Sequence, residues 1–228
     1  MKDIQDTWAK KAKNEGYRSR ASYKLIQINH THKLIEQADM IIELGSAPGG
    51  WSQVISGKKK AHSKCIAIDL LSMQNVDAID FYKIDLYSDK FAKLMNGLPK
   101  KPDLILSDMS VNLSGIKLVD DEANLELNLF CLNLSKKLLN ANGALLIKTF
   151  SNQNLKKLKK LFNENFETVV LEKPKLQPYI NTIKESVAHL LRIPVDRTNI
   201  KATTSETMGF IGRGEGIVCY ATVLIQKT

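Results

Sequence analysis

Short apolar runs alternate with longer amphipathic segments along most of this chain, and this alternation constrains the fold more than any other feature. The segments between the runs carry apolar residues at helical spacing. The order predicts an α/β fold, a doubly wound parallel sheet with helices on both faces, whose ligands bind at the carboxyl ends of the strands. The runs that indicate buried strands are residues 40–45, 64–71, 103–109, 144–150 and 166–172.

The chain changes character after residue 172, which predicts two domains, residues 1–172 and 173–228. The second is expected to be an α+β tail, with an amphipathic helix after Pro178, a short strand over residues 198–204, a glycine loop and a final strand over residues 215–226. The chain has no apolar run long enough to span a membrane and no secretory signal. We therefore expect a cytoplasmic monomer that has no membrane partner.

The net charge of +9 favours an anionic partner, because a basic surface gains affinity by releasing the counterions of phosphates. The first 24 residues hold seven Lys and Arg against three acids. Trp8, Tyr17 and Tyr23 lie among these cations, so this arm could meet RNA phosphates and stack on bases. The alternative is a solvated amphipathic helix with ordinary lysines.

Cysteine and histidine usage gives no sign of a metal site. Cys65, Cys131 and Cys219 each lie in an apolar run without C-x-x-C spacing, which favours buried free thiols. His30 and His32 form the one histidine cluster, and a pair at a helix end or in a loop explains them better than a metal site.

The segment ELGSAPGGW, residues 43–51, lies where the first strand should end and the first crossover helix begin. Gly49 and Gly50 would let the backbone turn sharply and approach a ligand. Their G-x-x-x-G-G spacing differs from that of dinucleotide binders, which weakens an NAD interpretation. Asp69 is placed to accept hydrogen bonds from ribose hydroxyls, and Asp85 could hold an adenine amino group, so a cofactor of adenosine type fits. The alternative is a tight turn with helix-capping aspartates.

Five short segments of the chain form a recognisable set. They are RSRASYKL (18–25), ELGSAPGGWSQ (43–53), IDLL (68–71), DLILSDMSVNLSG (103–115) and LLIKTF (145–150). In this order they resemble the FtsJ/RlmE family of S-adenosylmethionine-dependent ribosomal RNA 2'-O-methyltransferases. The resemblance covers residues 1 to about 172 and implies a Rossmann-like fold, S-adenosylmethionine as cofactor, and large-subunit ribosomal RNA as partner and substrate. It places around the cofactor Gly49, Trp51, Asp69, Asp85 and Asp108.

The resemblance also implies a catalytic set. Lys148 ends an apolar strand at the edge of the sheet where ligands bind, and an ordinary surface lysine is not expected there. The resemblance to the family implies that Lys148 is the central catalytic residue. Lys24 and Asp108 match two further members, a second cation and an orienting carboxylate. The alternative for Lys148 is a snorkelling lysine at a strand end. The sequence departs from the family at Glu43, which replaces an aspartate, and at residues 110–111, which replace Ala-Pro.

The tail departs from that family after residue 174 and resembles the carboxyl-terminal part of the IspF family, 2-C-methyl-D-erythritol 2,4-cyclodiphosphate synthase. KATTSETMGFIGRGEG, residues 201–216, carries this resemblance. The Asp-x-His pair of that family is absent, so synthase activity is not expected, and the alternative to a methyltransferase is an inactive RNA-binding remnant. Glu215, or else Glu185, could supply the fourth catalytic group. The resemblance implies substrate-site roles for Lys175, Thr203, Thr204, Glu206, Phe210 and Arg213.

Overall fold

The computed structural model describes residues 9–112, 114–172 and 180–200. The chain divides into two compact units, Met1–Val169 and Val170–Thr228. The first unit contains a parallel sheet with the strand order β3-β2-β1-β4-β5. The strands are β1 (Met40–Leu44), β2 (Lys64–Asp69), β3 (Asp80–Lys83), β4 (Leu104–Ser107) and β5 (Ala144–Ile147).

Seven described helices accompany or precede the sheet in the first unit. Residues 9–14 (α1) are helical at the start of the described part. The others are α2 (Ser22–His32), α3 (Leu34–Gln37), α4 (Gly50–Lys58), α5 (Asp89–Asn96), α6 (Lys117–Leu138) and α7 (Leu155–Asn163). From β1 the chain adds β2 and β3 on one side of the sheet and then β4 and β5 on the other side. The strand order therefore reverses between β1 and β4, and doubly wound folds bind ligands in the crevice at such a point.

Alternate residues of the strands enter two separate cores. Ile41 of β1 packs in a cluster with Leu25 of α2 and Trp51 of α4. Its neighbour Ile42 lies in the other cluster, with Phe91 of α5. Successive side chains of a strand point to opposite faces, so both faces of β1 are covered by helices. The predicted Rossmann-like sheet with helices on both faces is therefore confirmed.

The structure corrects the prediction of a strand over residues 166–172. These residues form neither helix nor strand, and the boundary between the two units falls within them. A strand needs a neighbour to bond with, and among the described residues β5 pairs with β4 alone. The apolar composition of this run therefore does not by itself indicate a strand. Conversely, β3 is short and its sequence, DFYK, lacks the apolar character of a buried strand.

The second unit contains α8 (Ile180–Leu191), which confirms the helix expected after Pro178, and a 3-10 turn (Val195–Arg197). Residues 198–200 are not in a strand. The rest of the strand predicted over residues 198–204, the glycine loop and the final strand lie outside the described residues. The assignment of the tail to a synthase-like domain stays a prediction.

Candidate active site

Hydrogen bonds between neighbouring strands continue past the strand ends and place Gly45, Asp108 and Lys148 next to one another. The amide of Gly45 donates to Ile68 O across 2.9 Å, and the amide of Lys148 donates to Ser107 O across 2.9 Å. The amide of Asp108 donates to Leu44 O across 3.3 Å. The glycine turn after β1 and the charged residues after β4 and β5 therefore lie side by side at the carboxyl edge of the sheet.

The turn between β1 and α4 requires glycine at two positions. Gly45 and Gly49 have φ values of 72° and 106°, the left-handed region that favours glycine. A Cβ on Gly45 would lie 2.6 Å from Cγ of Met109 and 3.0 Å from its Cα. A Cβ on Gly49 would lie 2.7 Å from Nη1 of Arg18. Gly50 begins α4, and its Cβ would meet Ser19 and Ser22 at 2.9 Å.

Two of the three aspartates predicted to contact the cofactor, Asp69 and Asp85, accept hydrogen bonds from the backbone. Asp69 accepts the amide of Ala47 on Oδ2, at 2.8 Å, and the amide of Leu71 on Oδ1, at 2.7 Å. Asp69 therefore ties the glycine turn to the end of β2. Asp85 is exposed and accepts the amide of Tyr87 on Oδ1 at 2.9 Å. Each carboxylate keeps lone pairs for a ligand, because a carboxylate accepts more than two hydrogen bonds.

Trp51 is 3% exposed and packs in the core below the turn. Its Nε1 donates to Ala21 O at 2.9 Å, which joins α4 to the start of α2. The ring also lines a small cavity that reaches Asp108. The position of Trp51 therefore fixes the distance between the amino-terminal segment and the glycine turn.

Lys148 and Asp108 form an ion pair at the centre of the edge. Nζ lies 2.8 Å from Oδ1 of Asp108 and donates a hydrogen bond to the main-chain oxygen of the same residue at 2.9 Å. The two side chains are 22% and 19% exposed. Oδ1 is buried and accepts no well-aligned hydrogen bond from the described residues. The pair is thus held in place, and Asp108 retains capacity for a further donor.

A polar network on α6, which the sequence did not suggest, holds the loop after Lys148. Oδ1 of the buried Asn124 accepts the hydroxyl of Thr149 at 3.1 Å and the amide of Phe150 at 3.3 Å. Nδ2 of Asn128 donates to Oγ1 of Thr149 at 2.9 Å. Both asparagines lie four residues apart on one helix face. This network fixes the backbone next to the catalytic lysine candidate.

Lys24 lies on the first turn of α2 and is exposed. Its side chain makes no ion pair with Asp108 in the described part of the chain. The structure therefore pairs two of the predicted catalytic residues, Lys148 and Asp108, and shows no such contact for Lys24. Ala21, one helical turn earlier, lines the cavity that contains Asp108, so Lys24 lies close to that cavity along the helix.

Glu43, Ser46 and Asp108 all line this small cavity. Oε1 of Glu43, Oγ of Ser46 and Oδ1 of Asp108 are buried and accept no hydrogen bond from the described residues, although Oδ1 of Asp108 forms the ion pair with Lys148. Buried polar atoms are nearly always hydrogen-bonded in folded proteins. All three can accept hydrogen bonds, so the cavity suits a group with several N–H donors. Sequence reasoning treated Glu43 only as a departure from a family and missed Ser46. No periodicity or spacing could have shown that these two residues line one cavity with Asp108.

Glu43 lies near the carboxyl end of β1, the central strand, and its buried side chain is 1% exposed. Burial raises its pKa to about 8, and the nearby carboxylates of Asp108 and Asp69 add to the rise. The hydroxyl of Ser52 donates to Oε2 at 2.6 Å, which opposes it. The folded protein thus holds Glu43 largely as a neutral acid at pH 7, whereas an unfolded chain would ionise it.

We expect Glu43→Gln to remove a pH dependence of stability. The folded pKa is raised from 4.5 to about 8, so the stability that the neutral acid contributes is present at low pH and is lost as the pH rises through this range. At the alkaline end the loss is on the order of a few kcal/mol. A glutamine at this position cannot ionise. The free energy of unfolding of the variant should therefore increase relative to that of the parent as the pH rises.

Urea unfolding of both proteins at about pH 5.5 and about pH 8.5 measures this difference. Glu126→Gln is the matched control, because Glu126 is exposed on α6, and its difference from the parent should stay nearly constant. A constant difference for Glu43→Gln as well would mean that Glu43 is already ionised in the folded protein.

The remaining sequence predictions have mixed outcomes. Cys65 and Cys131 are buried free thiols, as predicted, and Cys219 lies outside the described residues. His30 and His32 lie in the last turn of α2, which confirms a helix-end pair. Glu185 lies exposed on α8. Glu215 and the other predicted tail residues, Lys175, Thr203, Thr204, Glu206, Phe210 and Arg213, lie outside the described residues.

The described residues contain no group of three or more His, Cys, Asp or Glu side chains that could hold a metal ion. Among the described helices, none has both the length and the apolar character needed to cross a membrane.

Comparisons with known proteins converge on the first unit. The sequence model of the FtsJ-like methyltransferase family matches residues 17–180. Proteins named ribosomal RNA large subunit methyltransferase E match from Stutzerimonas stutzeri, at 36% identity over 173 residues, and from Legionella pneumophila, at 37% over 173 residues. Each alignment covers 75% of this chain and 84% of the relative.

A solved structure agrees with the sequence matches. The crystal structure of a protein described as a ribosomal RNA methyltransferase from Plasmodium falciparum superposes with a TM-score of 0.63 at 30% identity, over 70% of this chain and 93% of that one. The stretch matched by the family model contains the glycine turn, Asp69, Asp85 and the Lys148–Asp108 pair.

Proposed function

Because the chain belongs to the FtsJ-like methyltransferase family, we propose that it transfers the methyl group of S-adenosylmethionine to a ribose 2'-hydroxyl of large-subunit ribosomal RNA. The observation that carries the proposal is the Lys148–Asp108 pair, which lies beside the glycine turn at the carboxyl edge of the sheet. The names of the relatives support ribosomal RNA as the substrate class. A cytoplasmic location is part of the same proposal.

The residues at this edge fit the proposed cofactor. Oε1 of Glu43, Oγ of Ser46 and Oδ1 of Asp108 would accept hydrogen bonds from its ammonium group. The glycine turn leaves its backbone open to a ligand, Asp69 has lone pairs for the ribose hydroxyls, and Asp85 has one free oxygen for the adenine amino group. When bound, the cofactor supplies a methyl group on a sulfonium, open to in-line attack by an oxygen.

Methyl transfer to a hydroxyl needs positioning and the removal of one proton. The bound cofactor would supply the methyl group, and the hydroxyl proton must pass to a base. Nζ of Lys148 is the group that we assign to this proton, with Asp108 fixing its position. The amine must be neutral to accept it, and Lys24 stays the proposed second cation of the catalytic set. Glu215 stays the proposed fourth group.

We expect the purified protein to bind S-adenosylmethionine in calorimetry and to transfer radiolabelled methyl to large ribosomal subunits that lack the modification. Digestion of the product should give a ribose-methylated nucleoside, and NAD should not bind, because the glycine spacing differs from that of dinucleotide sites. No binding of S-adenosylmethionine would overturn the proposal. Binding without transfer would instead support the inactive remnant.

A further inference from the structure

Lys148 lies just beyond the end of β5. The strand ends at Ile147, and residues 148–150 form neither helix nor strand. β5 is at one edge of the described sheet, where it pairs with β4 alone. The amide of Lys148 still bonds to this neighbour, because it donates to Ser107 O at 2.9 Å. The sheet therefore holds the backbone as far as Lys148 and does not hold the residues after it.

Side chains of α6 hold the backbone after Lys148 instead. Oδ1 of Asn124 accepts the amide of Phe150 at 3.3 Å and the hydroxyl of Thr149 at 3.1 Å. The same oxygen accepts Nδ2 of Asn128 at 3.2 Å, and this Nδ2 also donates to Oγ1 of Thr149 at 2.9 Å. The bonds among the three side chains close a ring. One oxygen atom of Asn124 thus joins two consecutive residues after the lysine to the helix.

The burial of this ring indicates what it contributes. Asn124 and Asn128 are 2% and 3% exposed. Leu125 and Leu132, also buried on α6, pack in an apolar cluster. A buried amide group is unfavourable unless it is hydrogen-bonded, and a fully bonded polar network fixes one arrangement of the groups that it joins. The two asparagines therefore define the geometry of the segment after Lys148, a task that an apolar contact does not perform.

The same face of α6 holds the segment at a second place. Asp121 lies about one helical turn before Asn124, on the same side of the helix. Its Oδ1 accepts Nδ2 of Asn152 at 3.0 Å, and its main-chain oxygen accepts Nδ2 of Asn154 at 3.4 Å. α6 is also the helix that follows Asp108 in the chain. One helix therefore adjoins both members of the ion pair, Asp108 through the preceding loop and Lys148 through these side chains.

We propose that Asn124 is a positioning residue for methyl transfer, which sets the place of Lys148 Nζ against Asp108 by holding the backbone of residues 149 and 150. Asn124 is not among the residues that line the small cavity, so it acts through Lys148 and not on the cofactor. The inference rests on the proposed function for the reaction that Lys148 serves. The hold on the backbone can be measured without turnover.

The test compares single-turnover methyl transfer by the parent, Asn124→Ala and Asn124→Leu. Both changes remove the acceptor, and leucine also fills the space with a side chain of similar size, so either variant alone carries the test. We expect the rate constant to fall roughly 10²-fold, the size of loss that a misplacement of about 1 Å causes at a reacting group. The KM for ribosomal subunits and the Kd for S-adenosylmethionine in calorimetry should stay at the parent values. Unchanged rates for the folded variants would overturn the proposal.

Two further variants separate positioning from a general loss of stability. Ser135→Ala is the matched control, because Ser135 is a buried polar residue on the same helix whose hydroxyl donates to Leu132 O, and it should keep the parent rate. Asn124→Asp keeps an oxygen that can accept all three hydrogen bonds, and it should recover most of the lost rate. A rate for Asn124→Asp as low as that for Asn124→Ala would contradict the role assigned to this oxygen.

Hydrogen exchange measures the hold itself. The amide of Phe150 donates to Asn124, so residues 148–154 should exchange roughly fivefold faster in Asn124→Ala, the effect of losing one hydrogen bond of ordinary net strength. Residues 40–44 in β1 are the internal reference and should exchange as in the parent. Unchanged exchange over residues 148–154 would overturn the proposal whether or not the protein is active. Slow exchange in a parent that transfers no methyl group would overturn the proposed function alone.

Discussion

Lys148→Ala should abolish methyl transfer to ribosomal subunits while calorimetry still shows binding of S-adenosylmethionine. The ammonium lies 2.8 Å from Oδ1 of Asp108 at the strand edge, and no other described lysine is held there. General-base groups contribute about 10²–10⁴-fold to rate, and the loss should be of this size or larger. The glycine turn and Asp69, which would hold the cofactor, do not contact this side chain.

Lys148→Arg separates charge from proton transfer. A guanidinium keeps the positive charge and can pair with Asp108, but it does not lose its proton in proteins. We expect this variant to be as inactive as Lys148→Ala. Lys156→Ala is the control, because Lys156 is exposed on α7, and it should turn over like the parent. Equal turnover by Lys148→Ala and the parent would remove Lys148 from the mechanism.

Gly45→Ala should destabilise the fold and weaken cofactor binding together. Its φ of 72° costs an ordinary residue about 1–2 kcal/mol, and the new Cβ would lie 3.0 Å from the backbone of Met109, which cannot yield as a side chain end can. With overpacking added, we expect a loss of about 2–4 kcal/mol in the free energy of unfolding. A displaced turn that costs about 1.4 kcal/mol in binding weakens cofactor affinity tenfold.

Gly57→Ala is the matched control for this change. Gly57 lies within α4, and a Cβ there meets nothing within 4 Å. Alanine should stabilise the protein by about 0.5–1 kcal/mol, because glycine is unfavourable inside a helix. Urea unfolding and calorimetry on both variants check the contrast. A stable Gly45→Ala protein that binds the cofactor normally would contradict the role assigned to this turn.

The apolar runs predicted four of the five strands. β1, β2 and β4 lie inside the described sheet, and the inner strands of a parallel sheet are covered on both faces. β5 lies at one edge, but it is half-buried and its sequence, ALLI, is apolar. β3 lies at the other edge, and its exposed, charged sequence gave little signal. The run over residues 166–172 misled for the converse reason, because apolar composition does not supply a pairing partner.

The site could be predicted where adjacent residues carry the signal. The glycine turn, Asp108 and Lys148 stand in short contiguous segments, and the family resemblance located them. The free oxygens of Glu43 and Ser46 and the asparagine network on α6 arise from contacts between separate segments. Trp51 was predicted to contact the cofactor, and its indole hydrogen bond to Ala21 shows a structural task as well. Such contacts exist only after folding.

The separation of the two cores by the sheet has a consequence for how this protein can change. The cluster that contains Ile41 lies under the glycine turn and the amino-terminal segment, and the cluster that contains Ile42 lies under α5 and α6. Substitutions that share no partners add in free energy. The residues of α5 in the second cluster, such as Phe91 and Met95, can therefore change, or be redesigned for thermal tolerance, largely independently of the first cluster, which packs under the glycine turn.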